Sequence, residues 1–103
     1  MPALKRTETA GRRKTVTQPR RALLLQRLTR IEGQVRGIKR MVENERYCVD
    51  ILNQMAAVHA ALDAVSTGLL EDHTRGCVQT AIKSGRGEHA IGELMTIVRK
   101  LAR

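Results

Sequence analysis

Residues 24–42 read LLQRLTRIEGQVRGIKRMV, and the spacing of their apolar side chains decides the fold. Leu24, Leu28, Ile31, Val35, Ile38 and Val42 recur at steps of four, three, four, three and four. That period lays one apolar stripe with heptad character along an α-helix, predicted from about Arg20 to Glu45. The other faces carry Arg21, Arg27, Arg30, Arg36, Lys39 and Arg40. Gly33 and Gly37 interrupt a good helix, each costing about 1 kcal/mol relative to Ala. Their four-residue spacing would let another helix approach closely. Glu43–Tyr47 breaks the pattern with a turn-compatible charged run. The same spacing then resumes in Ile51, Met55, Val58, Leu62, Val65 and Leu69. It predicts a second helix from about Cys48 to about Ile82, ended by Ser84, Gly85 and Gly87. Ile91, Leu94, Val98 and Leu101 predict a short third helix over about Glu88–Leu101. No internal repeat and no strand-like alternation is present, so the fold class is all-α, with two long helices and one short one.

Composition narrows the function. The chain has 103 residues, with no Trp, no Phe and a single Tyr, Tyr47. A core of Leu, Ile, Val, Met and Ala at this length points to helices packing on helices. One subunit buries limited apolar area, so oligomerisation is expected to complete the core. The net charge of +9 is clustered and suits an anionic partner, most simply nucleic acid. Residues 1–19 carry basic residues without an apolar period and read as a disordered tail ahead of a single helical domain, 20–103. No apolar run approaches the roughly 20 residues that a membrane span needs. With no secretory h-region and only two cysteines, a cytoplasmic protein with reduced thiols is expected. Nothing supplies a nucleophile with a base and an orienting group, so an enzyme with a small-molecule substrate is not expected.

The two cysteines belong to one suggestive set, Cys48, His73 and Cys77. His73 and Cys77 continue the apolar stripe of the second helix at steps of four, so they share its packing face. Two thiolates and an imidazole suit a soft, low-coordinate ion, above all Cu(I). Along one straight helix Cys48 and His73 would lie about 37 Å apart. Metal bonds to sulfur and nitrogen span only about 2.0–2.3 Å. If the second helix is continuous and the three residues share a metal, an antiparallel two-fold pair of second helices can bring Cys48 of one chain to His73 and Cys77 of the other. Metal affinity would fall as pH drops, because protons compete for all three ligands. His59 and His89 have no cysteine neighbour and read as structural or exposed. The basic face of the first helix, with Arg21, Arg27, Arg36 and Lys39 leading, is the expected DNA surface, bound mainly through phosphates. No helix-turn-helix pattern is evident, so groove shape is expected to contribute to specificity.

The run RLTRIEGQVRGIKRMVENERYCVDILNQ, Arg27 to Gln54, together with His73, Cys77 and the segment after them, resembles the copper-sensing transcriptional repressors of the CsoR-like family. The resemblance covers about residues 20–101. It implies an all-helical dimer of antiparallel helices, a four-helix bundle that pairs into a flat tetramer. It implies that the metal-free form binds double-stranded operator DNA and represses metal-export genes, and that Cu(I) releases it. Cys48, His73 and Cys77 match the family's Cys–His–Cys ligands. Tyr47 and Glu93 match residues that support the ligand histidine and couple it to helix movement. The chain departs from some members at Ala64, where they carry a basic residue that helps bind DNA. Two rivals share the fold. A Ni(II)/Co(II) sensor tends to have a second His where Cys77 stands and adds an N-terminal ligand. A thiol or persulfide sensor would use Cys48 and Cys77 and leave His73 incidental. A nucleoid-type structural DNA binder would ignore metal altogether.

Overall fold

In a computed structural model, residues 15–102 are described; the tail expected to be disordered falls, for residues 1–14, outside them. Among the described residues, four α-helices follow a short irregular lead: α1 (Arg21–Glu43), α2 (Cys48–His73), α3 (Gln79–Lys83) and α4 (Gly87–Leu101). A π-helical turn, Thr74–Val78, joins α2 to α3 without a break in the path. No described helix is long and apolar enough to cross a membrane. The described chain extends 55 × 28 × 23 Å.

The apolar stripes of α1 and α2 each resolve into two seams seven residues apart. Leu24 and Ile31 of α1 are buried against Val58 and Val65 of α2, with Ile38 and Ala61 packed at the margin. This is the core of the hairpin. The alternate members, Leu28, Val35 and Val42 on α1 and Met55, Leu62 and Leu69 on α2, are 37–57% exposed. A coiled-coil seam needs a and d positions covered together. Here one half of each heptad is satisfied within the chain and the other half is left open, a pattern that a second copy would complete.

The turn between α1 and α2 works without Pro or Gly because Glu45 adopts a left-handed conformation, φ 54°. The backbone amide of Arg46 reaches back to the carbonyl of Met41 at 2.9 Å. Gly33 and Gly37 are not sites of close approach within the chain, as a Cβ at Gly37 would meet nothing within 4 Å. Gly87 is different. Its Cβ would lie 2.9 Å from Ile82 Cγ1 and 3.2 Å from Ile82 Cα. Gly85, with φ 84°, supplies the left-handed residue that ends α3. Gly87→Ala is therefore expected to push α4 away from α3 and cost about 1–3 kcal/mol, read as a lowered urea midpoint. An unchanged midpoint would show that the turn has slack.

The second long helix departs from the uninterrupted one that spacing predicts. Thr74 Oγ1 donates to the carbonyl of Leu70 at 2.8 Å, and Gly76 lies two residues on. A back-bonded Thr bends a helix and Gly weakens it, so an extra residue enters the turn here. Cys77 lies inside this widened turn.

Candidate metal centre and DNA surface

His73 is the last residue of α2 and Cys77 the fourth residue of the π turn. Both are half-buried. They line one groove of about 630 Å³ with Asp72, Gly76 and Thr80 on their own strand of helix and Val16–Pro19 across from them. His73 also borders a second groove, of about 580 Å³, whose far wall is Glu93, Leu94 and Ile97 of α4. His73 thus borders both the groove that holds Cys77 and the groove that holds Glu93. A histidine that holds a metal through one ring nitrogen can donate from the other to an acceptor.

Glu93 has another neighbour. Its Oε2 lies 3.7 Å from His89 Nε2, one turn back on α4. His89 is exposed, and the Glu93 beside it lines the groove that His73 borders. His59 is exposed on α2.

Cys48 and Tyr47 sit elsewhere. Cys48 opens α2, Tyr47 caps it, and both are exposed. Twenty-five residues of helix separate Cys48 from His73, about 37 Å at the α-helical rise. Among the described residues of one chain, no three His, Cys, Asp or Glu side chains converge as a metal site. The donor set that fits a soft ion is therefore split between two ends of the hairpin, and a single chain presents His73 and Cys77 as an open pair.

A cluster that spacing does not reveal lies beside that pair. Arg20, just before α1, donates from Nε to Asp72 Oδ2 at 3.3 Å and from Nη2 to Asp72 Oδ1 at 2.9 Å. Nη2 also donates to the carbonyl of Gly68 at 3.2 Å. Glu71 Oε1 lies 3.8 Å from the same nitrogen, while Arg75 holds Glu71 Oε2 at 3.0 Å. The hydrogen bonds that Arg20 donates to Asp72, and then the Asp72 charge, hold the Arg20 guanidinium above its ordinary pKa. The Arg75–Glu71 pair is legible as an i,i+4 spacing. Arg20 and Asp72 are 52 positions apart, and only the folded hairpin joins them.

The basic residues of α1 present a contrast. Arg21, Arg27, Arg36 and Lys39 are exposed. None of the ion pairs among the described residues engages them. Their charge is available to an anionic partner, and phosphates along a duplex supply one.

The chain is similar to known proteins in both sequence and fold. A family profile described as "Metal-sensitive transcriptional repressor" matches residues 20–100. The copper-sensing transcriptional repressor CsoR of Bacillus subtilis is 61% identical over 77 residues, 75% of this chain and 76% of that protein. The copper-sensing transcriptional repressor RicR of Mycobacterium tuberculosis is 47% identical over 77 residues, covering 75% of this chain and 79% of that one. Among solved structures, the copper-sensing repressor CsoR with Cu(I) from Geobacillus thermodenitrificans superposes with a TM-score of 0.81 at 46% identity, over 87% of this chain and 94% of that one. The nickel-responsive transcriptional regulator InrS superposes with a TM-score of 0.69 at 38% identity, over 85% and 99% of the two chains.

Proposed function

This chain belongs to the metal-sensitive transcriptional repressor family, and from that premise we propose that it is a Cu(I)-responsive repressor of copper-efflux and resistance genes. Its metal-free form binds double-stranded operator DNA in the cytoplasm. It lets go once His73 and Cys77 of one subunit and the partner subunit's Cys48 hold Cu(I). The observation that carries this reading is the split donor set. His73 and Cys77 share a groove, Cys48 stands at the other end of a continuous helix, and the open seam is where a second copy would lie antiparallel.

The donors fit the ion. Thiolates and imidazole select Cu(I) over hard ions such as Mg(II), and when bound the ion supplies a cross-link between two subunits. The remaining work belongs to the protein. His73 would offer one ring nitrogen as a ligand and leave the other free to donate to Glu93, which lines the same groove. Tyr47 caps the helix that presents Cys48 and moves with it. The domain comprises residues 20–103, and it assembles as a dimer and then a tetramer. The tail, 1–19, adds basic charge to the DNA surface formed by Arg21, Arg27, Arg36 and Lys39. Ligand and DNA affinities are reciprocally coupled, because Cu(I) must favour the form with the lower DNA affinity.

The test is a fluorescence anisotropy titration of a labelled duplex, selected by the metal-free protein from a random-sequence pool, with and without Cu(I) under reducing conditions. Tight binding without Cu(I) and weaker binding with it are expected. Equal affinity in the two conditions would defeat the reading.

A further inference from the structure

Arg20 stands at a junction that the metal ligands and the α1 arginines do not by themselves explain. It is contiguous with Arg21, at the start of the basic helix, yet its side chain is folded back onto the last turns of α2. The Asp72 side chain is only 13% exposed, against 42% for Arg20. A sheltered carboxylate needs a counterion close by, whereas the half-exposed guanidinium can turn to solvent at small cost. Asp72 immediately precedes His73, so whatever orders His73 orders the peptide that carries Asp72.

We infer that Arg20 is a switchable DNA contact, with Asp72 and operator phosphate competing for one guanidinium. When Asp72 holds it, the first cation of the basic helix is neutralised and drawn toward the ligand turn. When phosphate takes it, the clamp opens and α1 gains a backbone contact. Both acceptors are oxyanions that a guanidinium can meet with two hydrogen bonds, so Arg20 keeps its bonding in either state, while the sheltered Asp72 carboxylate left behind opposes the opening. Ordering of the ligand turn by bound metal favours the clamp and removes the contact. Arg20 is a positioning residue in one state and a phosphate ligand in the other. The inference rests on the repressor reading for its meaning, but its signature appears in the metal-free protein.

The experiment is a double-mutant cycle on duplex affinity, using the selected duplex over a range of salt concentrations. Arg20→Ala is expected to weaken metal-free binding several-fold. It should also reduce the steepness of log K against log salt by about 0.9 for each Arg20 on a phosphate. Asp72→Asn is expected to tighten binding and to shrink the fold-release caused by Cu(I). Arg20→Lys, which keeps the charge but not the two-pronged geometry, should retain the salt slope and also shrink the release. In the Arg20→Ala background, Asp72→Asn should add nothing. A merely structural clamp predicts that Arg20→Ala and Asp72→Asn shift affinity in the same direction, and that result would overturn the inference. So would a gain from Asp72→Asn that persists without Arg20, since it would mark a general charge effect. If the wild-type protein fails to release DNA with Cu(I), the repressor reading falls, while the metal-free cycle still decides the role of Arg20.

Discussion

Co-refolding Cys48→Ser chains with Cys77→Ser chains is expected to restore one tight Cu(I) site per mixed dimer, although neither variant alone binds Cu(I) tightly. In a site shared between subunits, the Cys77→Ser chain contributes its intact Cys48. The Cys48→Ser chain contributes intact His73 and Cys77. Random pairing then gives roughly a quarter of wild-type capacity, because half of the dimers are mixed and each holds one intact site of two. Each variant alone should lose at least about 100-fold in affinity, since loss of a group that merely orients a ligand already costs 10–100-fold. Mixing the double variant, Cys48→Ser with Cys77→Ser in one chain, against wild type separates the alternatives. A shared site leaves that mixed dimer with no intact site, whereas a site within one chain leaves it with one. Bicinchoninate competition reads both mixtures, and a wild-type mixture with the double variant that holds about half rather than a quarter of wild-type capacity would refute the shared site. His73→Ala completes the argument. A copper sensor loses its response with this change, while a thiol sensor that uses only Cys48 and Cys77 keeps its own.

That prediction draws on the part of the chain most legible from sequence. The four-three spacing from Leu24 to Val42 and from Ile51 to Leu69 placed both long helices, because burial along a helix leaves a periodic trace. Helical rise separated Cys48 from His73 before any fold was known. Periodicity does not say which half of a heptad faces its own chain. Leu24 and Leu28 look alike in sequence, yet one is buried in the hairpin and the other is open. The π turn was hidden for a related reason. Thr74 and Gly76 are each tolerated in α-helices, and only their combined geometry widens the turn. The Arg20–Asp72 clamp was out of reach because its partners meet only when α1 lies against α2. The family resemblance pointed to Glu93, and the structure adds that His89 lies 3.7 Å from its carboxylate.

The open seam makes the second large prediction. Leu62 lies between Met55 and Leu69 on the uncovered strip of α2, flanking the one that buries Val58 and Val65. Leu62→Glu leaves the hairpin core untouched and places a carboxylate where a second copy would pack. Burying an unpaired charge costs about 3–5 kcal/mol. At 1.4 kcal/mol per decade, the dimer dissociation constant should rise by about two to four orders of magnitude. Sedimentation should then show monomers at concentrations where the wild type is fully assembled. Both functions should fail together. The metal site loses the partner subunit's Cys48, and the DNA surface loses the second set of α1 arginines, which flattens the salt dependence as well as weakening binding. Leu62→Met, which conserves volume, should assemble normally and keep both activities. Mutating an exposed residue on another face, such as Thr67→Glu, should leave the assembly intact. If Leu62→Glu remains a dimer with tight Cu(I) binding, the open heptad half is not the subunit interface, and Cys48 must reach His73 and Cys77 by another packing of the two hairpins.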